Sequence, residues 1–464
     1  MAWHSFFTNL STPAQWGIVA GILVFIAGLA VLIAWLAGAF DSDSVASVSV
    51  TVSETPTSPV PTPSPCDVFL LEQAILPAEV NNAYLLKNAV LSADAALMLV
   101  QATETMAGTS AELSVWSYNE ISQLYEKEYV KTGVPFGDVQ YASMREDGLR
   151  AAIGAGLFAV SEGLVTVFYR STISTDLFTN SQTINPPAAG GQNFGLSVQF
   201  PEFDDTMDSL FVSQLKVGTG VGNENGAVYE YKNIGTTPIL HQTIEAADKT
   251  DGDGFGAEIF VYGNQWMIVS ANVSNQVYVY ERNAGTQMWV PSGLPFTHTD
   301  TMTEGQGLYI SSDGKMAVVG SGGFNSLTGR VELYTRDNTS SNFTLVETIV
   351  EPDDPHTFSA FGTGIAVSLD EKYIIISGHG RVGGSQPRAY LYALDVDAQT
   401  LGPLIQTISS GVTLPEPVTG VVFSFSRISL RQRGVDEEYV FTAPVEDPVV
   451  TVAQVFTGCP DNIS

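Results

Sequence analysis

A repeated pattern is clearest in the stretch Phe361-Gly362, Leu369-Asp370-Glu371-Lys372, Ile374-Ile375-Ile376-Ser377-Gly378, Tyr390-Leu391-Tyr392 and Gln406-Thr407-Ile408. It consists of a Phe-Gly pair, a polar turn, an apolar run ending in small residues, an alternating strand and a closing strand. This order recurs about seven times after Cys66, at intervals of roughly 50 to 60 residues. Four short strands with Gly, Asn and Asp turns in each copy predict an all-β fold, a seven-bladed β-propeller.

The other copies are identified by their opening residues. Clear copies open at Phe136-Gly137 and at Gly307, and weaker copies surround Asp94, Phe194-Gly195, Phe255-Gly256 and Val421-Val422. None of them contains the long apolar periodicity of a helix. The repeat region therefore extends from residue 66 to residue 464 as one domain.

The Phe-Gly openings and the small-residue elements Gly154-Ala155 and Ala443-Pro444 resemble the FG-GAP repeats of integrin α-chain propellers and related surface proteins. The resemblance covers about residues 67 to 459, and four copies keep the aromatic residue: Phe136, Phe194, Phe255 and Phe361. The Trp-Asp ends of WD40 blades and the Asp box of sialidases are absent from the sequence. The resemblance implies a seven-bladed propeller on a cell or virion surface.

The two ends of the repeat region predict how the ring closes. Leu70–Ile75 resembles the outer strand that ends other copies, such as Leu240–Ile244, but it precedes the first copy. The last copy stops after Val450–Phe456 without such a strand. We therefore expect the N-terminal segment to complete the last blade, because a closed ring leaves no free edge there.

The same closure brings the only two cysteines, Cys66 and Cys459, towards each other. We expect a disulfide across the seam, which the chain-entropy model values at about 5 kcal/mol for so long a loop. Such a bond implies an oxidising compartment. The alternative is that the two are unrelated buried thiols.

The N-terminal region predicts a membrane anchor. After a short leader, residues 1–16, the segment Gly17–Phe40 contains no charged residue, and about 24 residues suffice for a helix that crosses a bilayer. A cleaved signal peptide ending near Ala37-Gly38-Ala39 remains the alternative, although the apolar run is long for one. Residues 41–65, rich in Pro, Ser and Thr, predict an extended stalk or a disordered linker.

The orientation of the anchor depends on indirect signals, because no Lys or Arg precedes Lys87. Four Asn-x-Ser/Thr sequons fit an exoplasmic, extracellular or virion-surface domain: Asn272, Asn338, Asn342 and Asn462. The predicted disulfide agrees with that location. The sequence thus predicts a single-pass membrane protein with its propeller outside.

The formal net charge is −30, and the pI is near 4.2. A chain this acidic repels nucleic acid and anionic lipid headgroups, so a nucleic-acid partner is excluded. Cations and basic partners are compatible with this charge, as is a simple role in solubility.

Two acidic clusters predict candidate Ca²⁺ sites, since carboxylates are the ligands that Ca²⁺ prefers. The first consists of Glu202, Asp204, Asp205 and Asp208 in the turn after a first strand, and the second of Asp248, Asp251 and Asp253 before Phe255. No copy has the full Asp-x-Asp-x-Asp-Gly-x-x-Asp run that the family resemblance would require. Solvated acidic turns are the alternative for both clusters.

The sequence gives little support for catalysis, and we predict no catalytic residues. No nucleophile elbow, zinc-binding His pair, phosphate loop or dinucleotide fingerprint is present. The predicted innermost strands are largely apolar: Gly195–Val198, Gly364–Val367 and Gly420–Phe423. Of the five histidines, His379 is the one in a loop suited to facing a ligand.

Binding is the better hypothesis, because a rigid ring presents variable loops on one face. The candidate loops are Lys216–Asn225, Gly320–Gly329, Gly378–Pro387, Ala246–Gly254, Phe296–Glu304 and Glu351–Phe358. We expect an adhesion or recognition protein whose loop face binds a protein or glycan. A structural component of a membrane-bound or virion assembly is the alternative, and a propeller enzyme is a distant third.

Overall fold

The computed structural model describes most of the repeat region: residues 70–75, 84–104, 110–135, 141–156, 163–171, 178, 180–187, 192–203, 208–216, 225–246, 248, 253–298, 307–323, 328–352, 360–378, 380–381, 388–409, 422–423, 428–433, 438–445 and 452–458. The predicted leader, membrane span, stalk and disulfide fall outside these stretches, and so remain predictions. Within the described stretches, no helix is long and apolar enough to cross a bilayer.

In the described residues, seven antiparallel sheets form the ring, six of four strands and one of five, and they are numbered here as blades 1 to 7. Blades 1 to 3 consist of β2 (Tyr84–Leu91), β3 (Leu97–Glu104), β4 (Ser110–Asn119), β5 (Leu124–Pro135); β6 (Tyr141–Met144), β7 (Arg150–Gly154), β8 (Val165–Tyr169), β9 (Asn180–Ile184); and β10 (Gln192–Gln199), β11 (Ser209–Lys216), β12 (Ala227–Lys232), β13 (Ile239–Ile244). The predicted all-β propeller architecture is therefore confirmed.

Blades 4 to 6 repeat this order with small additions. They consist of β14 (Phe255–Tyr262), β15 (Trp266–Ala271), β16 (Gln276–Arg282), β17 (Trp289–Pro291), β18 (Phe296–Thr297); β19 (Leu308–Ile310), β20 (Met316–Ser321), β21 (Arg330–Thr335), β22 (Thr344–Ile349); and β23 (Gly364–Val367), β24 (Tyr373–Gly378), β25 (Gly380–Arg381), β26 (Arg388–Asp395), β27 (Thr400–Ser409). In blade 4 the outer position is split, because β17 and β18 pair with opposite ends of β16.

Blade 7 is built from both ends of the repeat region. Its strands are β29 (Ser429–Arg433), β30 (Glu438–Val445), β31 (Val452–Gly458) and, at the outer edge, β1 (Leu70–Ile75). Leu70 lies opposite Thr457 and Ile75 opposite Ala453, so the predicted closure by the N-terminal segment is confirmed.

The predicted position of the innermost strand of blade 7 is wrong. We expected its innermost strand at Gly420–Phe423, but β28 (Val422–Phe423) pairs with β25 of blade 6 instead. The innermost strand is β29, which pairs with β30. The apolar pair Val422-Phe423 thus contacts blade 6, whereas the inner strand of blade 7, β29, has the more polar sequence Ser-Leu-Arg-Gln-Arg.

The ring closes through its inner strands, since β2, β6, β10, β14, β19, β23 and β29 contact one another in sequence and β29 contacts β2. The buried apolar side chains form seven clusters in the described residues, and each cluster joins at least two neighbouring blades. A single blade has no core of its own, so the ring is stabilised as a whole.

Two of the Phe-Gly pairs form joints between blades, and Phe136-Gly137 lies outside the described residues. Phe194 and Phe361 are fully buried and form bridges to Gly163 and Gly329 of the preceding blades. Gly362 has a φ of 96°, and a Cβ there would contact the carbonyl oxygen of Arg330 at 2.7 Å. Glycine is required because its backbone is both left-handed and tightly packed.

The ring has two different faces. The hairpin turns between first and second strands and between third and fourth strands lie on one side, which we call the turn face. The loops between second and third strands and the connections between blades lie on the other, which we call the loop face. β1 begins opposite Thr457, at the end of a third strand, so the chain enters the ring on the turn face.

Hydrogen bonds cross blade boundaries at the turn face. Trp266 Nε1 donates to the Ser312 carbonyl at 3.0 Å, the Ser312 amide donates to Glu371 at 2.8 Å, and the Tyr439 hydroxyl donates to Asp370 at 2.7 Å. Asp370 also accepts a hydrogen bond from Ser368 at 2.7 Å. Asp370 thus stabilises its own hairpin turn and links blade 6 to blade 7.

The pKa of Asp370 predicts acid sensitivity at the boundary of blades 6 and 7. Burial opposes its ionisation, but hydrogen bonds from Ser368, Tyr439 and Lys372 outweigh burial and lower its pKa. A lowered folded pKa contributes stability above the ordinary Asp pKa of about 4, and that stability is lost as the pH falls through the folded pKa. We expect urea unfolding to show this loss, and Tyr439→Phe to move it to higher pH. An unchanged pH profile in Tyr439→Phe would contradict the assignment.

Candidate functional site

A polar cavity of about 80 Å³ lies on the propeller axis. Each of the seven inner strands contributes to its lining, with residues that include Val90, Ser143, Gln199, Glu258, Tyr309, Ile365 and Arg431. Since one water occupies about 30 Å³ of liquid volume, the cavity has room for two or three waters or a ligand of a few atoms. It is much smaller than the roughly 300 to 1,000 Å³ of typical organic ligand sites.

Charged side chains converge in this cavity. Arg431, which is 5% exposed, forms an ion pair with Glu202 at 3.2 Å. Glu202 also accepts a hydrogen bond from Gln199 Nε2 at 3.1 Å. Glu258 is 4% exposed in the lining. The apolar stretches predicted for the inner strands did not include these charged residues, two of which lie on inner strands, Glu258 on β14 and Arg431 on β29.

Two polar atoms of the cavity lining remain without a hydrogen-bond partner among the described residues. They are Arg431 Nε and Thr363 Oγ1. Buried polar groups of this kind are normally satisfied by protein, water or ligand. The axial cavity is therefore the best candidate in the described part of the chain for holding ordered water or a small polar molecule.

Tyr309, in the cavity lining, is kept neutral. Burial raises the pKa of Tyr309 well above its ordinary value, and the nearby carboxylate of Glu371 adds to this effect. The Tyr309 hydroxyl donates a hydrogen bond to the Glu371 carboxylate.

The ion pair on the axis should show energetic coupling. Glu202 is 26% exposed at its side chain, so solvent weakens the pair, and we expect a coupling free energy of about 1 to 2 kcal/mol. Urea unfolding of Glu202→Gln, Arg431→Gln and the double variant measures it in a double-mutant cycle. Combining Glu202→Gln with the distant Lys372→Ala is the control, for which additive effects are expected. Additive effects in the Glu202 and Arg431 cycle would contradict the pairing.

The first predicted Ca²⁺ cluster is divided between different partners. Glu202 pairs with Arg431, whereas Asp208 lies 3.5 Å from Arg145 and 3.4 Å from Arg150. Asp204 and Asp205 lie outside the described residues. Carboxylates already neutralised by arginines offer less to a cation, and the site remains a prediction.

The second predicted Ca²⁺ cluster has structural contacts. Asp248 accepts a hydrogen bond from the Tyr278 hydroxyl at 2.9 Å. Asp253 is 4% exposed and accepts a hydrogen bond from the Phe255 amide at 3.0 Å. Asp251 lies outside the described residues. Within the described stretches, no three His, Cys, Asp or Glu side chains form a group that can hold a metal ion.

The predicted sequons differ in accessibility. Asn338 and Asn342 are exposed in the turn between β21 and β22, although Asn342 Oδ1 accepts a hydrogen bond from the Leu294 amide at 3.2 Å. Asn272 is partly buried, and its Oδ1 has no partner among the described residues. Asn462, like Cys66, Cys459 and His379, lies outside the described residues.

No protein-family model and no curated protein sequence matches this chain. Solved structures match it at low identity. A candidate 6-phosphogluconolactonase from Bacteroides uniformis is 11% identical with a TM-score of 0.48, covering 78% of this chain and 92% of that one. The periplasmic gluconolactonase of Pseudomonas aeruginosa is 14% identical with a TM-score of 0.41, covering 81% and 97%. Hsv2 of Kluyveromyces marxianus is 10% identical with a TM-score of 0.42, covering 78% and 89%.

At these identities and TM-scores, the solved structures give no information about the activity or ligand of this chain. Its own strand order makes it a seven-bladed β-propeller protein. The resemblance to FG-GAP repeats remains a prediction from its Phe-Gly motifs. The prediction that it is not an enzyme depended partly on inner strands without charged residues. Glu258 and Arg431, which lie on inner strands and line the axial cavity, remove that argument.

Proposed function

We propose that this chain is a membrane-anchored surface protein whose propeller recognises another macromolecule, a protein or a glycan, through its loop face. One observation carries this proposal: β1 enters the ring on the turn face. A propeller tethered by residues 41–65 through that face keeps its loop face clear for a partner. The uncharged segment 17–40 supplies the anchor in this proposal.

The ring supports recognition by its rigidity. Every blade boundary contains a buried apolar cluster in the described residues, so loops on the loop face start from fixed positions. Binding residues are often found on loops that a rigid scaffold holds in place. The Cys66–Cys459 disulfide, which we retain in the proposal, would fix the seam of this scaffold.

Charge reversal on the two faces tests the proposal. Cells that display the full chain are probed with arrays of glycans and host surface proteins. The loop-face variant carries Asp300→Lys and Asp354→Lys, in connections between blades, and the matched turn-face variant carries Glu120→Lys and Asp397→Lys. We expect saturable binding that falls at least tenfold in the loop-face variant only. Loss of binding in the turn-face variant alone, or the absence of saturable binding to any probe, would overturn the proposal.

The alternative, a scaffold that packs against neighbouring proteins, is favoured by apolar side chains on the outer strands. Ile239 on β13 is 55% exposed, and Val346 on β22 is 54% exposed. Light scattering of the full chain in nanodiscs separates the two proposals. Oligomers that Ile239→Ser and Val346→Ser disperse support the scaffold, and monomers that still bind a partner support recognition.

A further inference from the structure

A second, larger groove lies on the turn face of blade 4, away from the loop face. It has a volume of about 520 Å³ and is lined by Phe203, Tyr262, Asn264, Gln265, Glu281 and Gln287, among others. Phe203 follows β10 of blade 3, whereas the other five belong to the turns and strands of blade 4. A concave site of this size, with aromatic and polar lining, is within the usual range for an organic ligand.

An aromatic pair forms one wall of the groove. The rings of Phe203 and Tyr262 are stacked, with centroids 4.5 Å apart and planes inclined by 15°. Phe260 packs edge-on against Phe203, with centroids 6.4 Å apart. Phe203 and Tyr262 are both only partly buried. The two rings therefore remain partly accessible while the fold fixes their positions.

The backbone of Phe203 is held in an unfavourable conformation. Its φ is 66°, in the left-handed region that a bulky residue rarely adopts. The Phe203 amide donates a hydrogen bond to the Glu146 carboxylate of blade 2, which holds the turn in place. Strain of this kind is often found where a side chain is positioned for binding.

The rest of the groove offers neutral hydrogen-bonding groups. Asn264 and Gln265 are exposed, and their side-chain amides have no hydrogen-bond partner among the described residues. The only guanidinium of the lining, Arg282, is bound to Glu230 at 2.9 Å. Amides both donate and accept hydrogen bonds, as the hydroxyl groups of a ligand do.

From this arrangement we propose that the groove binds a neutral saccharide. The C–H face of the sugar ring packs on the Phe203 and Tyr262 pair, because the faces of aromatic rings are electron-rich. The sugar hydroxyls bond to the amides of Asn264 and Gln265. A strongly anionic ligand is disfavoured by Glu281 and by the occupied Arg282. This site is on the opposite face from the proposed partner surface and does not depend on it.

Saturation-transfer NMR tests the proposal on the full chain in nanodiscs, which avoids sugar-based detergents. The probes are maltotriose, cellotriose, chitotriose and mannotriose, each titrated up to 10 mM. We expect at least one trisaccharide to bind, and Gln265→Ala to weaken it at least threefold. Gln123→Ala removes an exposed amide from a turn of blade 1 and is the matched control, which should bind as the unchanged chain does.

The aromatic wall is tested separately. Phe203→Gly removes the ring and relieves the backbone strain, so we expect an unfolding temperature at least as high as that of Phe203→Ala, together with at least a tenfold loss of saccharide binding. Tyr262→Phe keeps the stacked ring and should retain binding. Failure of all four trisaccharides to bind, or full binding by a folded Phe203→Gly variant, would overturn the proposal. Loss of loop-face recognition with trisaccharide binding intact would overturn only the proposed function.

Discussion

Deletion of Leu70–Ile75 is expected to weaken the joint between blades 7 and 1 and to abolish cooperative unfolding. These residues form the whole outer strand of blade 7, and their removal leaves β31 as an unpaired edge. The backbone ladder to β31 is lost, together with the ion pair between Glu72 and Arg433 at 3.1 Å. At about 1 kcal/mol for each net hydrogen bond, the loss is about 5 kcal/mol or more, comparable with the whole stability of many domains.

Gln73 adds a second connection that the deletion removes. Its side-chain Nε2 donates to the Tyr125 carbonyl at 3.0 Å, and its Oε1 accepts from the Tyr125 amide at 2.7 Å. Gln242 makes the same pair of hydrogen bonds to Trp289, at 2.9 and 2.8 Å. The Gln of the repeated closing strand thus links one blade to the next, and β1 performs this role between blades 7 and 1.

Strand replacement provides the control for the deletion. A synthetic peptide with the sequence of residues 67–77, added in excess to the deleted chain, should restore the native circular dichroism and the cooperative transition. The same peptide with proline at positions 71 and 74 should not restore them, because proline cannot donate to the ladder. A deleted chain that unfolds cooperatively at the original urea concentration would contradict the proposed closure.

Arg336→Ala is expected to lower the free energy of unfolding by about 3 to 5 kcal/mol, because it leaves three backbone carbonyls of a buried hydrogen-bond network without their donor. Arg336 is 3% exposed, and its guanidinium donates to the carbonyls of Gly314, Ser292 and Thr339 at 2.7, 3.1 and 2.9 Å. Burial lowers its pKa to about 10, which leaves it charged at neutral pH. It also lies over the Phe343 ring, 4.5 Å from the centroid.

Urea unfolding measures this effect, and Lys372→Ala is its matched control. The Lys372 side chain is 52% exposed and pairs with Asp370 at 3.3 Å, so its loss should cost less than about 1 kcal/mol. Arg336→Lys should recover only part of the stability, because an ammonium group lacks the planar fork of the guanidinium. An Arg336→Ala variant within 1 kcal/mol of the unchanged chain would show that the network is not stabilising.

This arginine is a repeated feature that the sequence analysis missed. Arg170 and Arg282 occupy the same place at the ends of the third strands of blades 2 and 4. They lie over Phe178 at 4.8 Å and Trp289 at 5.2 Å. The signal was present in the sequence, because each Arg comes at the end of a strand that contains a tyrosine and is followed seven or eight positions later by the aromatic residue that it contacts.

The repeat predicted the blade count and the outer closing strand. These features depend on local patterns that recur in each copy, so they can be recognised without coordinates. The seventh inner strand could not be assigned in this way, because Ser-Leu-Arg-Gln-Arg at 429–433 lacks the apolar alternation of other copies. This strand is polar because Ser429 and Arg431 line the polar cavity on the propeller axis.

The candidate sites depend on contacts between blades, and such contacts leave little trace in one sequence. Arg431 and Glu202 lie far apart in the chain and meet only because the ring closes. Phe203 and Tyr262 belong to different blades and stack only because their turns are adjacent. Glu258 gave one local signal, since it is a charged residue within the apolar strand Phe255–Tyr262.

Cysteine cross-linking tests ring closure most directly, in a chain whose two native cysteines are replaced by serine. The register pairs Leu70 with Thr457 and Ala74 with Gln454. Cysteines introduced at 70 and 457, or at 74 and 454, should therefore form disulfides under mild oxidation. The mismatched combinations 70 with 454 and 74 with 457 use the same four positions and should not. Equal cross-linking in all four combinations, or in none, would contradict a propeller closed by its N-terminal strand.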